Sequence, residues 1–258
     1  MAVVTLDAGH GGYDNGASDQ GRKQKDDNLN LALAVGNILQ NSGVDVRYTR
    51  TEDIYQTPQR KAAIANENGS DLFISFHRNS SPSPNQYSGV QTLVYADNGP
   101  RRLLAQNINN ELEKVGFTNL GISVRRDLPV IRESNMPAGL VEVGFINTER
   151  DNALLDAKFP EVAQAIADGI LQTLQETDRD VRATEEAESY TIETGMFAHE
   201  DNAKDLAALL QEDGFESFIE KRGRYYVVCH GMYPSLTEVR RAEQNLYESG
   251  YETRIAPI

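Results

Sequence analysis

The chain has 258 residues, of which 39% are hydrophobic, and this suits one large domain or two smaller ones. Its formal net charge of −14 disfavours a nucleic-acid-binding function, because phosphate contacts require clustered cations. The apolar runs are all shorter than the ~20 residues that a membrane-spanning helix needs, and a single cysteine, Cys229, excludes a disulfide within the chain.

From Val3 to about Leu174, predicted strands alternate with predicted amphipathic helices. The strand that begins at Val3 is followed by a predicted helix over residues 28–40, which ends before Gly43. The other strands are predicted at 44–48, 71–76, 90–95 and 140–143, and the other helices at 103–115 and 159–174. This alternation predicts an α/β domain over residues 1–175, with a mixed sheet and helices on both of its faces.

Three of the predicted strands carry candidate catalytic groups. The first strand leads into a glycine-rich turn that contains His10, and the strand 71–76 is followed directly by His77. Glu142 is a lone carboxylate among apolar neighbours. Two imidazoles and a buried carboxylate are the parts of a hydrolytic zinc centre, in which the metal lowers the pKa of bound water and the carboxylate accepts a proton. Each residue alone is as well explained by a structural role, but their grouping favours the zinc centre.

The composition changes after this domain. Residues 176–188 are almost wholly polar and cannot bury an apolar face, so we predict a linker there. The alternative is a solvated extension of the preceding helix.

An internal repeat follows the linker. The segment 190–197 recurs as 226–233, and the alignment keeps one register up to Ile219 and Ile255. Each unit has the pattern of a strand, a helix and a second strand. Residues 189–258 are therefore predicted to form a smaller α+β domain of βαββαβ topology, with a four-stranded antiparallel, ferredoxin-like sheet and two helices on one face.

Residues 3–174 resemble the zinc-dependent N-acetylmuramoyl-L-alanine amidases of bacterial cell-wall lysis. The matching stretches, in family order, include Leu6-Asp7-Ala8-Gly9-His10-Gly11-Gly12 and residues 26–31, 71–80 and 128–147. The resemblance implies hydrolysis of the amide between the lactyl group of N-acetylmuramic acid and L-alanine of the stem peptide. It also implies Zn²⁺ as cofactor, His10 and His77 as zinc ligands, Glu142 as the catalytic carboxylate, and peptidoglycan in the cell wall or outside the cell as the partner.

The chain departs from this family at the third zinc ligand. The family has a glutamate in the motif Glu-Lys-Asp-x-Asn-Leu, and here the segment reads Gln24-Lys25-Asp26-Asp27-Asn28-Leu29. An amide oxygen is a neutral, weak donor, so we expect weaker zinc retention. Three explanations stay open: a deliberate inactivating substitution, a natural loss of activity, or a variant in which Gln24 still coordinates the metal. Rescue by Asp26 or Asp27 is disfavoured, because a helix directs them at other angles.

Three further residues are candidates for binding the substrate. Asn79 lies just after His77, at the start of a loop predicted to form a wall of the substrate groove. Arg125 and Arg132 are suited to pairing with stem-peptide carboxylates. The alternative for both arginines is that they only balance an acidic surface.

Residues from about 189 to 258 are similar to the sporulation-related repeat (SPOR) domain, which implies binding of glycan strands stripped of stem peptides. Gly195-Met196-Phe197 carries part of the resemblance, whereas Glu193 stands where family members often have glutamine. Tyr190 and Tyr226 offer aromatic surface for sugars, and Arg224 offers a hydrogen-bond donor.

Two functions compete on these observations. One is a peptidoglycan amidase that its SPOR domain targets to the wall, and the other is a catalytically inactive wall-binding protein that retains the amidase fold. We expect a monomer that binds no nucleic acid. The N-terminus shows no signal peptide, so release from a sporulating mother cell, release by a phage, or prior removal of a leader would explain access to the wall.

Overall fold

The chain divides into two units, Met1–Gln175 and Glu176–Ile258, in a computed structural model that describes residues 1–185 and 189–258. The elements of the first unit are, in chain order, β1 (Val3–Ala8), β2 (Ser18–Asp19), β3 (Arg22–Lys23), α1 (Gln24–Asn41), β4 (Asp45–Tyr48), α2 (Pro58–Glu67), β5 (Leu72–Asn79), β6 (Val90–Val94), α3 (Gly99–Val115), β7 (Asn119–Val124), α4 (Pro129–Arg132), β8 (Ala138–Phe145), α5 (Glu149–Ala157) and α6 (Phe159–Glu185), which continues into the second unit.

A six-stranded sheet with the order β4-β1-β5-β8-β6-β7 forms the centre of the first unit. Strands β4, β1, β5 and β8 are mutually parallel, β6 runs antiparallel to β8, and β7 is parallel to β6. The predicted mixed sheet is therefore confirmed. Because β1, β5 and β8 are adjacent and parallel, their C-terminal ends lie side by side at one edge.

Helices cover both faces of this sheet, as predicted. Successive strand residues point to opposite faces, so Ile74 packs into the larger core with α1, α3 and α6, whereas Phe73 packs into a smaller core with α2 and α4. In α1, Leu31, Val35 and Leu39 recur at spacings of four and lie fully buried against the sheet. Helix α1 begins at Gln24, four residues before the predicted start, because its first turn is polar and shows no apolar periodicity.

The second unit contains β9 (Tyr190–Phe197), α7 (Glu200–Glu212), β10 (Ser217–Arg222), β11 (Tyr225–Tyr233), α8 (Leu236–Glu248) and β12 (Arg254–Pro257). Its four strands have the order β10-β11-β9-β12 and pair antiparallel throughout. Side chains from α7 and α8 share one apolar core, exemplified by Leu210 and Leu246, so both helices lie on the same face. The βαββαβ prediction is confirmed.

Helix α6 ends at Glu185 and therefore includes residues 176–185 of the stretch predicted to be a linker. For those residues the structure shows the alternative, an extension of the preceding helix. Residues 186–188 of the predicted linker lie outside the described residues. Among the helices within residues 1–185 and 189–258, none combines the length and the apolar character needed to cross a bilayer.

Candidate active site

His10 lies in the turn after β1 with a φ angle of 61°, a left-handed conformation that costs a non-glycine residue about 1–2 kcal/mol. Two buried cations hold this turn. Lys61 Nζ donates to the Ala8 carbonyl at 2.6 Å and to the Asp7 carboxylate at 2.7 Å. Arg50 Nε donates to the same Ala8 carbonyl at 2.9 Å. Sequence reasoning missed both cations, because nothing in the local pattern marks a lysine or an arginine as buried.

The Asp7–Lys61 pair supports a prediction for stability. Both side chains are buried, and Asp7 also accepts hydrogen bonds from Ser75 and Thr49. Burial alone would raise the pKa of Asp7, but the charge and hydrogen bond of Lys61 hold it below its ordinary value. Lys61→Met leaves this carboxylate buried without its cation and is expected to cost about 3 kcal/mol in the free energy of unfolding, measured by urea denaturation.

The control is the double variant Asp7→Asn/Lys61→Met, which removes both charges. It is expected to recover part of the loss, because no uncompensated charge remains buried. Equal stability of Lys61→Met and the unsubstituted chain would contradict this role of the pair.

The His10 imidazole is oriented by a carboxylate. Its Nδ1 lies 2.8 Å from Asp14 Oδ2, and the same carboxylate accepts the Gly16 N–H at 3.0 Å. A ring held through Nδ1 presents Nε2 to the site, as metal-binding histidines do when a carboxylate supports them. Gly16 packs so closely that an added Cβ would lie 2.8 Å from His10 Nε2. Asp14 was missed in the sequence, although a carboxylate four residues after His10 in a glycine-rich turn is a usable signal.

His77, in β5, faces His10 with a ring-centroid distance of 5.0 Å and an edge-on arrangement. Burial, with a smaller contribution from His10, lowers the pKa of His77 to about 3. The ring is therefore neutral near pH 7, which is the form that binds metal. A Cβ on Gly9 would come within 2.4 Å of His77 Nε2, so only glycine fits beside this ring.

Gln24 is the first residue of α1 and is 4% exposed. Its Oε1 accepts the Ala17 N–H at 2.8 Å, and its Nε2 lies 3.0 Å from His77 Nδ1. The amide thus occupies the position beside the two imidazoles. Of its acidic neighbours, Asp26 is exposed, and Asp27 pairs with Arg22 and Arg78.

These contacts test whether the residues fit a zinc ion. Across residues 1–185 and 189–258, no cluster of three His, Cys, Asp or Glu side chains is arranged to hold a metal. The two imidazoles, one of them supported by Asp14, fit zinc, and Gln24 would supply the third position through its amide oxygen, which in this structure accepts the Ala17 N–H. The donor set therefore fits a zinc site that lacks its charged ligand.

Glu142 stands opposite His77 in the register of the adjacent parallel strands β8 and β5. Its Oε2 is buried and has no hydrogen-bond partner within the described part of the chain. Burial raises the pKa of Glu142 to about 7, against the opposing charges of Arg78 and Arg125. A carboxylate with an open oxygen beside the imidazoles is suited to accept and return a proton.

The three predicted substrate-binding residues belong to different elements of the fold. Asn79 ends β5, and its Oδ1 accepts the N–H of the next residue at 2.8 Å. Arg125 follows β7, and its Nε and Nη2 donate to Asp127 Oδ1 and Oδ2 at 2.8 and 2.7 Å. Arg132 ends α4 and pairs with Glu133 at 2.8 Å. Both arginines are exposed, and Arg125 is near enough to influence Glu142 electrostatically.

The predicted glycan-binding residues of the second unit have different environments. Tyr190 is 5% exposed and belongs to the apolar core, so its ring has no open face on which a sugar can stack. Tyr226 is half-buried, and Lys221 Nζ lies 5.4 Å from its ring centroid. Arg224 is exposed and donates to the Tyr225 hydroxyl at 2.6 Å. Of the three, Arg224 is the most accessible.

Comparison with protein families gives two matches. Residues 4–172 match the family described as N-acetylmuramoyl-L-alanine amidase, Amidase_3, and residues 186–252 match the SPOR domain. These ranges cover the site and most of the internal repeat.

Individual proteins agree with these matches. The chain is 33% identical over 225 residues to the sporulation-specific N-acetylmuramoyl-L-alanine amidase of Bacillus subtilis, covering 85% of this chain and 84% of that protein. It is 36% identical over 179 residues to the endolysin of Bacillus phage SPP1, covering 67% and 66%. The solved catalytic domain of CwlV, an N-acetylmuramoyl-L-alanine amidase from Bacillus (Paenibacillus) polymyxa, aligns with a TM-score of 0.63 at 34% identity, over 68% of this chain and 99% of that one.

Proposed function

The chain belongs to the N-acetylmuramoyl-L-alanine amidase family and carries a SPOR domain, and from this premise we propose that it is a zinc-dependent hydrolase of the muramoyl–L-alanine bond. The observation that carries the proposal is the convergence of His10 and His77, with ring centroids 5.0 Å apart, beside a Glu142 oxygen left without a partner in the described residues. The substrate is peptidoglycan, and the place of action is the cell wall.

In the proposed reaction, water attacks the lactyl carbonyl and the amide C–N bond breaks. His10, oriented by Asp14, and the neutral His77 would hold a zinc ion together with the amide oxygen of Gln24. An ion held there would act as a Lewis acid on this carbonyl and would make the attacking water more acidic. Glu142 Oε2 accepts a proton from the attacking water and returns it to the departing nitrogen of L-alanine. The products are a lactyl carboxylate on the sugar and a free amino group on the peptide.

A second candidate function is the catalytically inactive wall-binding protein. It is favoured by the contacts of the Gln24 amide. Its oxygen accepts the Ala17 N–H, and its nitrogen lies beside His77 Nδ1. A neutral residue that satisfies His77 Nδ1 without a metal stabilises the metal-free site. Zinc binding and peptide release by the unsubstituted chain, compared with those of the Gln24→Glu variant, separate the two candidates.

We propose that the second unit holds the enzyme on glycan strands that have lost their stem peptides. Linking a binding unit to a catalytic unit raises the effective concentration of enzyme on an insoluble polymer. Since the proposed reaction removes stem peptides, it would create binding sites for the second unit, and wall degradation would then promote further binding.

This proposal predicts stronger retention of the full chain on amidase-treated sacculi than on intact sacculi, measured by co-sedimentation. Arg224→Ala is expected to lower the retention, because it removes an exposed donor beside Tyr225. The matched control is Arg241→Ala, an exposed arginine of α8 on the helix-covered side of the sheet. Equal retention on both kinds of sacculi would count against the proposal.

A further inference from the structure

Tyr13 and Tyr55 form an exposed aromatic pair beside the His10 turn. Their ring centroids lie 4.3 Å apart with an interplanar angle of 31°, and the residues are 79% and 38% exposed. We call these two residues the tyrosine platform. The adjoining Ile54 is also exposed, which extends the apolar patch. Exposed patches of this kind commonly bind ligands or partners.

The tyrosine platform is fixed to the same turn as His10. The Gly12 N–H donates to Asp53 Oδ1 at 2.8 Å. The buried Lys25 Nζ donates to the Gly12 carbonyl at 2.7 Å and to Asp53 Oδ2 at 2.6 Å. A Cβ on Gly12 would lie 2.8 Å from the backbone nitrogen of Tyr55, so the two loops pack without space between them. The platform therefore has a fixed position relative to the catalytic site.

The sheet order places the aromatic pair to one side of the site. His77 lies in β5, Glu142 lies in β8, and His10 lies in the turn after β1. These three strands are adjacent, in the middle of the sheet. Tyr13 follows β1 and Tyr55 follows β4, the edge strand on one side. The edge strand on the other side is β7, which runs antiparallel to β8, so Arg125 at its end lies near the start of β8 and not at the edge where β1 and β5 end.

The charges near the platform disfavour an anionic ligand there. Glu52 and Asp53 precede it in the chain, and the nearby Lys25 is already paired with Asp53. A stem peptide that carries free carboxylates is therefore poorly matched to this surface. A sugar ring carries no charge on its carbons and packs its C–H groups against aromatic faces. In the muramoyl amide, the lactyl group joins the sugar directly to the scissile carbonyl, so sugars must lie next to the catalytic site.

Resting on the proposed function, we propose that the tyrosine platform binds a pyranose ring of the glycan strand adjoining the muramic acid residue. The glycan strand then lies on the β4 side of the site.

The test is a calorimetric comparison of two ligands that carry the same stem peptide, one on muramic acid alone and one on a tetrasaccharide. The full chain is used with Glu142→Gln, which blocks consumption of the ligands. Tyr13→Ala is expected to raise the Kd of the tetrasaccharide ligand about tenfold and to leave the Kd of the muramic acid ligand within about two-fold, because the platform contacts only the longer glycan. Tyr13→Phe keeps the aromatic face and is expected to retain tight binding.

Three outcomes overturn the proposal. They are an unchanged Kd for the tetrasaccharide ligand in Tyr13→Ala, an equal loss for both ligands, and no measurable binding of the tetrasaccharide by the chain with Tyr13 intact. An equal loss would place the peptide or the muramic acid ring on the platform. The proposed function is tested separately, by release of stem peptides with Glu142 present, so the two failures are distinguishable.

Discussion

Replacing Gln24 with glutamate is expected to tighten zinc binding by about 100-fold and to increase the release of stem peptides from purified wall. In the structure Gln24 Nε2 faces His77 Nδ1 at 3.0 Å, and Oε1 is held by the Ala17 N–H. A carboxylate of the same shape keeps the contact to Ala17 but directs an oxygen at His77 Nδ1. The substitution therefore favours the metal-bound site, because it places a negative charge beside the two imidazoles.

This prediction has a readout that does not depend on turnover. Zinc affinity is measured by competition with a chelator, and stability by the melting temperature with and without zinc. Because a ligand that binds only the folded state stabilises it, Gln24→Glu should gain more in melting temperature from zinc than the unsubstituted chain does. The matched control is Gln40→Glu, which adds the same charge near the other end of α1. Equal zinc affinity and equal activity with Gln24 or Glu at position 24 would refute this interpretation and leave Gln24 as a tolerated ligand.

Glu142→Gln is expected to lower the rate of amide hydrolysis by about 10³-fold, measured in the Gln24→Glu background with zinc present. The amide preserves the shape of the side chain but cannot accept a proton from water or return it to the leaving nitrogen. Zinc affinity should change little, because the proposed ligands are on β5, α1 and the turn after β1.

The same substitution is expected not to destabilise the protein. Glu142 places a carboxyl group in a site where burial raises its pKa to about 7, and its Oε2 lacks a partner among the described residues. A neutral amide removes the cost of burying a charge there, so the free energy of unfolding should be equal or higher. The control is Glu161→Gln on the exposed surface of α6, which should keep full activity. Retained hydrolysis in Glu142→Gln would remove this residue from the mechanism.

The sequence predicted that three candidate residues from different strands meet, and the structure brings them together. His10, His77 and Glu142 are on or directly after apolar segments, and such segments in an α/β pattern predict parallel strands whose ends meet. The position of Gln24 followed only from the family motif. The four-residue error at the start of α1 arises because Gln24 and Lys25 are polar yet buried. Burial of a polar side chain depends on tertiary partners that no local pattern records.

The same reason explains the other differences. Lys61 and Arg50 resemble surface cations in the sequence, and their contacts with the backbone before His10 exist only once α2 and the loop after β4 have packed against the turn. Strand β7 was missed because its residues are half-buried or exposed and contain Gly121. Tyr190 is aromatic at a strand start, and only the packing of the two helices shows that it is a core residue.

The decisive measurement is identification of the new chain end that appears when purified wall is incubated with zinc and either the unsubstituted chain or the Gln24→Glu variant. A muramoyl–L-alanine amidase is expected to produce free amino groups on L-alanine, equal in amount to the stem peptides released, with glycan strands of unchanged length. New reducing sugar ends, or new amino groups on any residue other than L-alanine, would refute the proposed function.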